Sequence, residues 1–408
     1  MRFEVRTARW ILAAVVAALL VVTVSVAHAQ PDGRVSNIRV GQHPTKTRVV
    51  LDLSRNIEFF VFLLPDPYRI VVDLPELAFE LPVDARSRAV GRISGWRHGL
   101  FEPGTSRLVI DANGPMTVKA AFVLPPSGTQ SYRLVLDLVE VDRSRFIAAS
   151  NQSVEKRVAL RAPRIQAPTA APSPARKTDD RKVVVIDPGH GGVDPGALGP
   201  RLYEKEIVLA TGLALKRQLE KTGRYTVIMT RDRDIFVRLR ERVAIARRSN
   251  ADLFVSLHAD TIGDRSLRGL SVYTLSETAS DAEAALLAKH VNKSDIIAGM
   301  DFSNEAPEVT DILIDLAQRR TKNLSVRLAG YVVDEMERET KLLGRTHRFA
   351  GFAVLRAPDV PSILIELGFL SNKADARTLS DPKHQTRIAH GVARSIDRYF
   401  QGVQSAFR

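Results

Sequence analysis

The sequence predicts an α/β domain with a mostly parallel sheet flanked by helices, preceded by an all-β sandwich. Three observations predict it. Residues 34–142 run strand after strand with no helical period between them. From Lys182 onward, apolar strands alternate with segments of helical spacing, the pattern of a sheet covered on both faces. Between the two lies a stretch rich in Pro, Ala and basic residues. At 408 residues, 45% hydrophobic and 26% charged, the chain is long and apolar enough for two ordinary domains.

Residues 1–29 read as a signal peptide outside that fold. Arg2, Arg6 and Arg9 precede an apolar run from Trp10 to Val26, and Ala27-His28-Ala29 has the small-x-small pattern of a cleavage site. An uncleaved anchor is the alternative, but the apolar core is short for a bilayer span. The mature chain is therefore expected to be exported, with no membrane span after cleavage. There is no cysteine, so neither a disulfide nor a Cys-type zinc site is available. Cleavage would change the formal net charge from +13 to +11. That surplus suits an anionic wall polymer or lipid, and serves solubility equally well; export argues against nucleic acid.

In the first domain, 34–142, "TRVVLDLS", "FFVFLL" and "YRIVVDL" are matched in order by "SRLVIDANG", "TVKAAFVL" and "YRLVLDL". Two such sheet units imply a sandwich by internal duplication. The region holds no acid–base constellation and is expected to be a binding or targeting module. Residues 143–181 are expected to form a linker. Within them, 151–177 carry four Pro, six Ala and six basic residues against one Glu, the composition of an extended tether.

The second domain is assigned to 182–402. "VVVID", "YTVIMTRD", "ADLFVSLHAD", "GLSVYTL", "GFAVL" and "PSILIELGF" are predicted as strands. "KEIVLATGLALKRQLEKTG", "RLRERVAIARRSN" and "HQTRIAHGVARSIDRYF" are predicted as helices.

In such sheets chemistry gathers at the carboxyl ends of the strands. His190 lies just past the first strand, His258 ends the third, Glu366 ends "SILIE", and Glu204 opens the first helix. Two histidines, one carboxylate and an open position make a catalytic zinc shell, and a second carboxylate can deprotonate the metal's water. That assigns His190, Glu204 and His258 to the metal and Glu366 to general base. Glu206 competes with Glu204, and spacing alone does not separate them. A phosphate-cradle reading of "DPGHGG" is weaker: it lacks the Lys-Ser/Thr of a P-loop and the G-x-G-x-x-G spacing.

"VVVIDPGHGGVDPGA", "YEKEIVLA", "TRDRD", "LFVSLHAD" and "APDVPSILIELGFLSN" resemble, in this order, the zinc-dependent N-acetylmuramoyl-L-alanine amidases of bacterial cell division. The resemblance implies one Zn²⁺ held by His190, Glu204 (deciding against Glu206) and His258, with Glu366 catalytic. It implies cleavage of the amide between N-acetylmuramic acid and L-alanine by a zinc-bound water, for daughter-cell separation in the periplasm. "RVVLDLS" and "PYRIVVDL" similarly resemble the family's N-terminal peptidoglycan-targeting domain. Where the family commonly has Ala-Asn, this chain has Ala246-Arg247, a departure away from the ligand positions. A zinc carboxypeptidase or endopeptidase of the stem peptide, or an inactive wall-binding protein, are the alternatives.

Residues 279–320 interrupt the α/β rhythm. "ASDAEAALLAKHVNKSD" has an apolar stripe of Ala282, Ala285, Leu286 and Ala288, and "VTDILIDLAQ" follows. An ordinary surface helix is one account. The segment also resembles the family's regulatory insertion, a helix that covers the cleft until an activator displaces it. That implies an envelope activator with a degenerate metallopeptidase-like domain. Glu283 is the expected inhibitory carboxylate for the open zinc position, and His290 is expected to be a surface residue.

Overall fold

The computed structural model describes residues 33–82, 88–160, 181–199, 202–299 and 312–405. The predicted signal peptide, most of the predicted tether and part of the insertion lie outside them.

The N-terminal region builds two sheets. The larger contains β1 (Arg34–His43), β2 (Lys46–Leu53), β5 (Ala78–Phe79), β8 (Met116–Leu124) and β9 (Tyr132–Glu140), in the order β5-β1-β2-β9-β8. The smaller contains β3 (Phe60–Leu64), β4 (Arg69–Pro75), β6 (Ile93–Glu102) and β7 (Thr105–Ala112), in the order β3-β4-β7-β6. Strand β2 alternates buried and half-buried residues, as a strand with one covered face must. Its Val49, Leu51 and Leu53 meet Ile70, Val72, Leu108 and Ile110 of the other sheet in one core.

The smaller sheet differs. β4 and β7 are buried nearly throughout, because their alternate residues enter a second core. Phe62, Leu64, Val71, Phe101 and Val109 point away from the sandwich and pack with Val193, Phe236 and Ala298 of the C-terminal region. The two described regions accordingly belong to one compact unit, residues 33–408.

Residues 143–160 correct the expected linker: they form helix α1 (Arg143–Leu160). Asp142 caps it by accepting from the Arg145 amide at 2.8 Å. Phe146 is buried in the sandwich core, and the Ser150 hydroxyl donates to Leu63 O at 2.8 Å. A few apolar anchors outweigh a polar composition that reads as tether.

The C-terminal region is a six-stranded mixed sheet. Its strands are β10 (Lys182–Pro188), β11 (Tyr225–Met229), β12 (Leu253–His258), β13 (Leu270–Leu275), β14 (Leu342–Ala350) and β15 (Ser362–Glu366), in the order β11-β10-β12-β15-β13-β14. The first four in that order are parallel, while β13 runs antiparallel to β15 and parallel to β14. Helices α2 (Glu204–Lys221), α6 (Ile312–Met336) and α8 (Pro382–Ser405) cover one face. Helices α3 (Leu239–Arg248) and α4 (Ala282–Val291) cover the other, with a short 3₁₀ turn at Ala353–Leu355. The predicted strand "GFAVL" is that 3₁₀ turn. Its Val354 and Leu355 are buried against α3 and α4 as a helix-like plug, so an apolar run there serves packing rather than pairing. Two short helices, α5 (Ser294–Ile297) and α7 (Lys373–Leu379), complete the region.

Candidate metal centre

Three neighbouring strand ends and one helix start build the site. Strands β10, β12 and β15 lie side by side, with Pro188 opposite Leu257 and His258 opposite Glu366. His258 and Glu366 therefore sit next to each other at one sheet edge, and the turn after β10 delivers His190 beside them.

That turn is an unusual piece of backbone. His190 has φ 57°, followed by Gly191 at 121° and Gly192 at 57°. Three consecutive residues in left-handed space need glycine wherever no side chain is required. Gly189 is required for contact: a Cβ there would lie 2.3 Å from the His258 ring. Two arginines hold the turn by its carbonyls. Arg242 donates to Pro188 O and His190 O, each at 2.8 Å, and to the Asp187 carboxylate at 2.7 Å. Arg231 donates to Pro188 O at 2.9 Å and Gly189 O at 2.7 Å. Burial, with Arg242 beside it, brings Arg231 down to about 10. A turn whose carbonyls are turned onto guanidinium groups is the reverse of a phosphate cradle, which presents amides.

His190, Glu204 and His258 each bring a ligand atom within 4.8 Å of the others. The His190 Nδ1 lies 2.8 Å from the Asp194 carboxylate and donates to it, which turns Nε2 toward the cluster. That Nε2 is buried, 3.2 Å from Glu204 Oε2, and makes no hydrogen bond. His258 Nδ1 lies 3.0 Å from Glu204 Oε1. Glu204 itself is oriented by the amides of Ala197, 2.8 Å from Oε2, and Ala259, 2.9 Å from Oε1. Converging lone pairs with an orphaned buried nitrogen are what a Zn²⁺ site of the two-histidine, one-carboxylate type requires, so these residues fit the ion.

Glu366 stands against the cluster, 0% exposed. Its Oε1 accepts from the Asp260 amide at 2.5 Å, and its Oε2 is buried with no partner. Burial first, then the charges of Glu204 and Asp260, push its carboxyl well above the usual range. For His190, burial opposes the charge, but Asp194 and Glu204 outweigh it and raise the imidazole well above 6.5. Glu204 is likewise held far down by the two histidines despite burial.

The structure brings together His190, Glu204, His258 and Glu366, and separates Glu204 from its competitor. Glu206 accepts from the Tyr203 amide at 2.8 Å and caps helix α2, on the exposed side. Glu283 is placed elsewhere in this structure. Its carboxylate pairs with Arg348 at 2.8 Å, where Asp281 also binds, and it is not part of the cluster. The buried guanidinium of Arg348 attracts both acids at the start of α4. His290 is an exposed surface residue, as expected, with its Nδ1 3.6 Å from Asp260.

Sequence reasoning passed over Asp194, Arg231, Arg242, Asp260 and Ser294. Asp194 stands in the same quoted motif four residues after His190, a spacing that could have marked it. Arg242 is one of five arginines in the segment "RLRERVAIARRSN", and nothing local distinguishes it.

The comparisons bear on the whole. Residues 184–398 match the family model described as N-acetylmuramoyl-L-alanine amidase. The amidase AmiC of Neisseria meningitidis serogroup B is 37% identical over 373 residues, 88% of each chain. AmiC of Escherichia coli O6:H1 is 33% identical over 374 residues, covering 89% of this chain and 88% of the relative. AmiA of E. coli K12 is 36% identical over 228 residues, 55% of this chain and 78% of its own. Alike in sequence along nearly its whole length, and over the very strands that carry the cluster, this chain belongs to the N-acetylmuramoyl-L-alanine amidases, hydrolases of the amide bond between N-acetylmuramic acid and L-alanine in peptidoglycan.

Proposed function

We propose that hydrolysis proceeds at a single Zn²⁺ held by His190, Glu204 and His258, with Glu366 as the acid–base group. The reading rests on one observation: the unpartnered His190 Nε2 and Glu366 Oε2 are buried on the same small cluster. A bound Zn²⁺ would supply the polarisation of the amide carbonyl and the acidification of a water. This chain's residues do the rest. Asp194 fixes His190 in the tautomer that leaves Nε2 free. The Ala197 and Ala259 amides hold both oxygens of Glu204 on the two imidazoles. Glu366, tethered through Oε1, keeps Oε2 free to take a proton from water and return it to the leaving alanine nitrogen.

The biological setting is the family's. Residues 1–29 would be removed on export to the periplasm, and the β-sandwich would bind peptidoglycan there. The enzyme would act in daughter-cell separation, with the insertion at 279–320 restraining it until an envelope activator binds. Zinc analysis with mass spectrometry of digested muropeptides tests the chemistry. Wild type should release intact stem peptides beginning with L-alanine, and Glu366→Ala should keep its zinc and lose hydrolysis. Full activity in that variant refutes the base assignment, and cleavage within the stem refutes the bond.

A further inference from the structure

The catalytic cluster is closed. His190 is 6% exposed, His258 2%, and Glu204 and Glu366 0%, although the substrate is a polymer. Part of what closes it is the run from His290 to Gly299. The Ser294 hydroxyl donates to the Asp194 carboxylate and lies 3.3 Å from His190 Nδ1. Asp295 accepts from the Leu239 amide at 2.9 Å, and His290 faces Asp260.

The far end of that run is held by the other domain. Helix α5 is a single turn; Ile296 O at its C-terminal end takes the Gly299 amide at 3.0 Å, and carbonyls at a helix C-terminus carry partial negative charge that suits a cation. Three arginines of the four-stranded sheet take them in order. Arg69 donates to Ile296 O, Arg97 to Ile297 O at 2.7 Å, and Arg107 to Ala298 O and Gly299 O, each at 3.0 Å. Each arginine is itself set from the sandwich. Arg107, 0% exposed, is gripped by Asp73 and lies 3.5 Å above the Phe101 ring, and Arg97 pairs with Asp111. Between them Ala298 is buried against Val71 and Val109. Gly299 has φ +70°, and a Cβ there would lie 3.2 Å from the methyls of both valines.

We propose that the outer face of the β3-β4-β7-β6 sheet is an interaction surface whose occupant is this chain's own residues 296–299. Through it the sandwich holds residues 290–299 shut over the cluster. The sandwich is then an intramolecular inhibitor as well as any targeting module it provides. Drawing the sheet off those four carbonyls frees Ser294 from Asp194 and opens the site. This rests on the reading of the cluster as the catalytic centre.

The test uses the full zinc-loaded chain. Arg97→Met removes one charge-assisted hydrogen bond to the 296–299 run, together with the Asp111 ion pair, all outside the catalytic machinery. It should speed amide exchange over 290–299 and raise hydrolysis of purified peptidoglycan by about tenfold, the population shift one such bond commands. Faster exchange with unchanged hydrolysis overturns the proposal. A second variant covers the case in which Arg97→Met does not fold. Because the chain has no cysteine, Val109→Cys with Gly299→Cys places one disulfide across the contact. Its oxidised form should hydrolyse far more slowly than its reduced form; equal rates, with the cross-link verified by mass, overturn the proposal. Amide exchange reports the clamp without catalysis. An absence of cleavage at L-alanine in every form would therefore fault the assigned chemistry, leaving the exchange result to judge the contact.

Discussion

Replacing Arg242 by Met separates the support of the metal-ligand turn from the ligands themselves. Arg242 is 1% exposed, and its guanidinium donates to Val237 O, Pro188 O, His190 O and the Asp187 carboxylate. Methionine fills much of the space and donates nothing. Asp187, 0% exposed, keeps only the hydroxyls of Thr230 at 2.6 Å and Ser256 at 2.8 Å. Removing one partner of a buried ion pair costs about 3–5 kcal/mol, because the remaining charge stays buried. At roughly 2–4 °C per kcal/mol for a domain of this size, the melting temperature should fall by about 10 °C. Burial drives Asp187 upward and Arg242 brings it back below 3.8. Without the arginine it will protonate more readily, so the deficit should shrink as pH falls. The assay is a calorimetric melt of the zinc-loaded chain at several pH values, with zinc content measured alongside. Asp187→Asn combined with Arg242→Met should recover part of the loss, since the orphaned charge is gone. A melting temperature within about 2 °C of wild type in the single variant, with zinc retained, would refute the argument that this pair holds the turn.

Three further outcomes follow from the same geometry. Asp194→Asn should weaken zinc affinity by about 10–100-fold while leaving the ligands in place, as measured by competition with a chromophoric chelator. Glu204→Gln should lose zinc, whereas Glu206→Ala should keep it and lose only a helix cap, about 1 kcal/mol in a melt. In the metal-free chain the raised pKa of His190 stabilises the fold fully below 6.5, and that contribution is lost as pH rises through the folded value. Zinc takes the proton's place, so the gap between the melts of zinc-loaded and chelated protein should widen from acid to alkaline pH; a constant gap would contradict it.

Much of the site was legible because its residues obey a local rule. His258 and Glu366 end apolar strands, His190 follows one, and ligands gather at such ends in a parallel sheet. Glu204 and Glu206 were not separable on that basis. Two carboxylates two residues apart at a helix start both suit the spacing, and only the direction of each side chain puts one in the cluster and makes the other a cap. The partner of Glu283 is hidden for a related reason: its helix is legible, but Arg348, which holds its carboxylate here, is sixty-five residues away in sequence.

By itself the sequence determined the fold class, the family, and the four residues proposed for the chemistry. Each of these is written in a period, a motif or a neighbour along the chain. Only the tertiary structure decided what covers the smaller sheet. "FFVFLL", "YRIVVDL" and "SRLVID" are apolar on both faces, which announces a second partner without naming it. The partner is the metal-ligand turn and the insertion of the same chain, brought to Val71, Phe101, Val109 and three arginines by folding. A binary pattern records that a face is buried; what buries it depends on shape and charge contributed from nearly two hundred residues away.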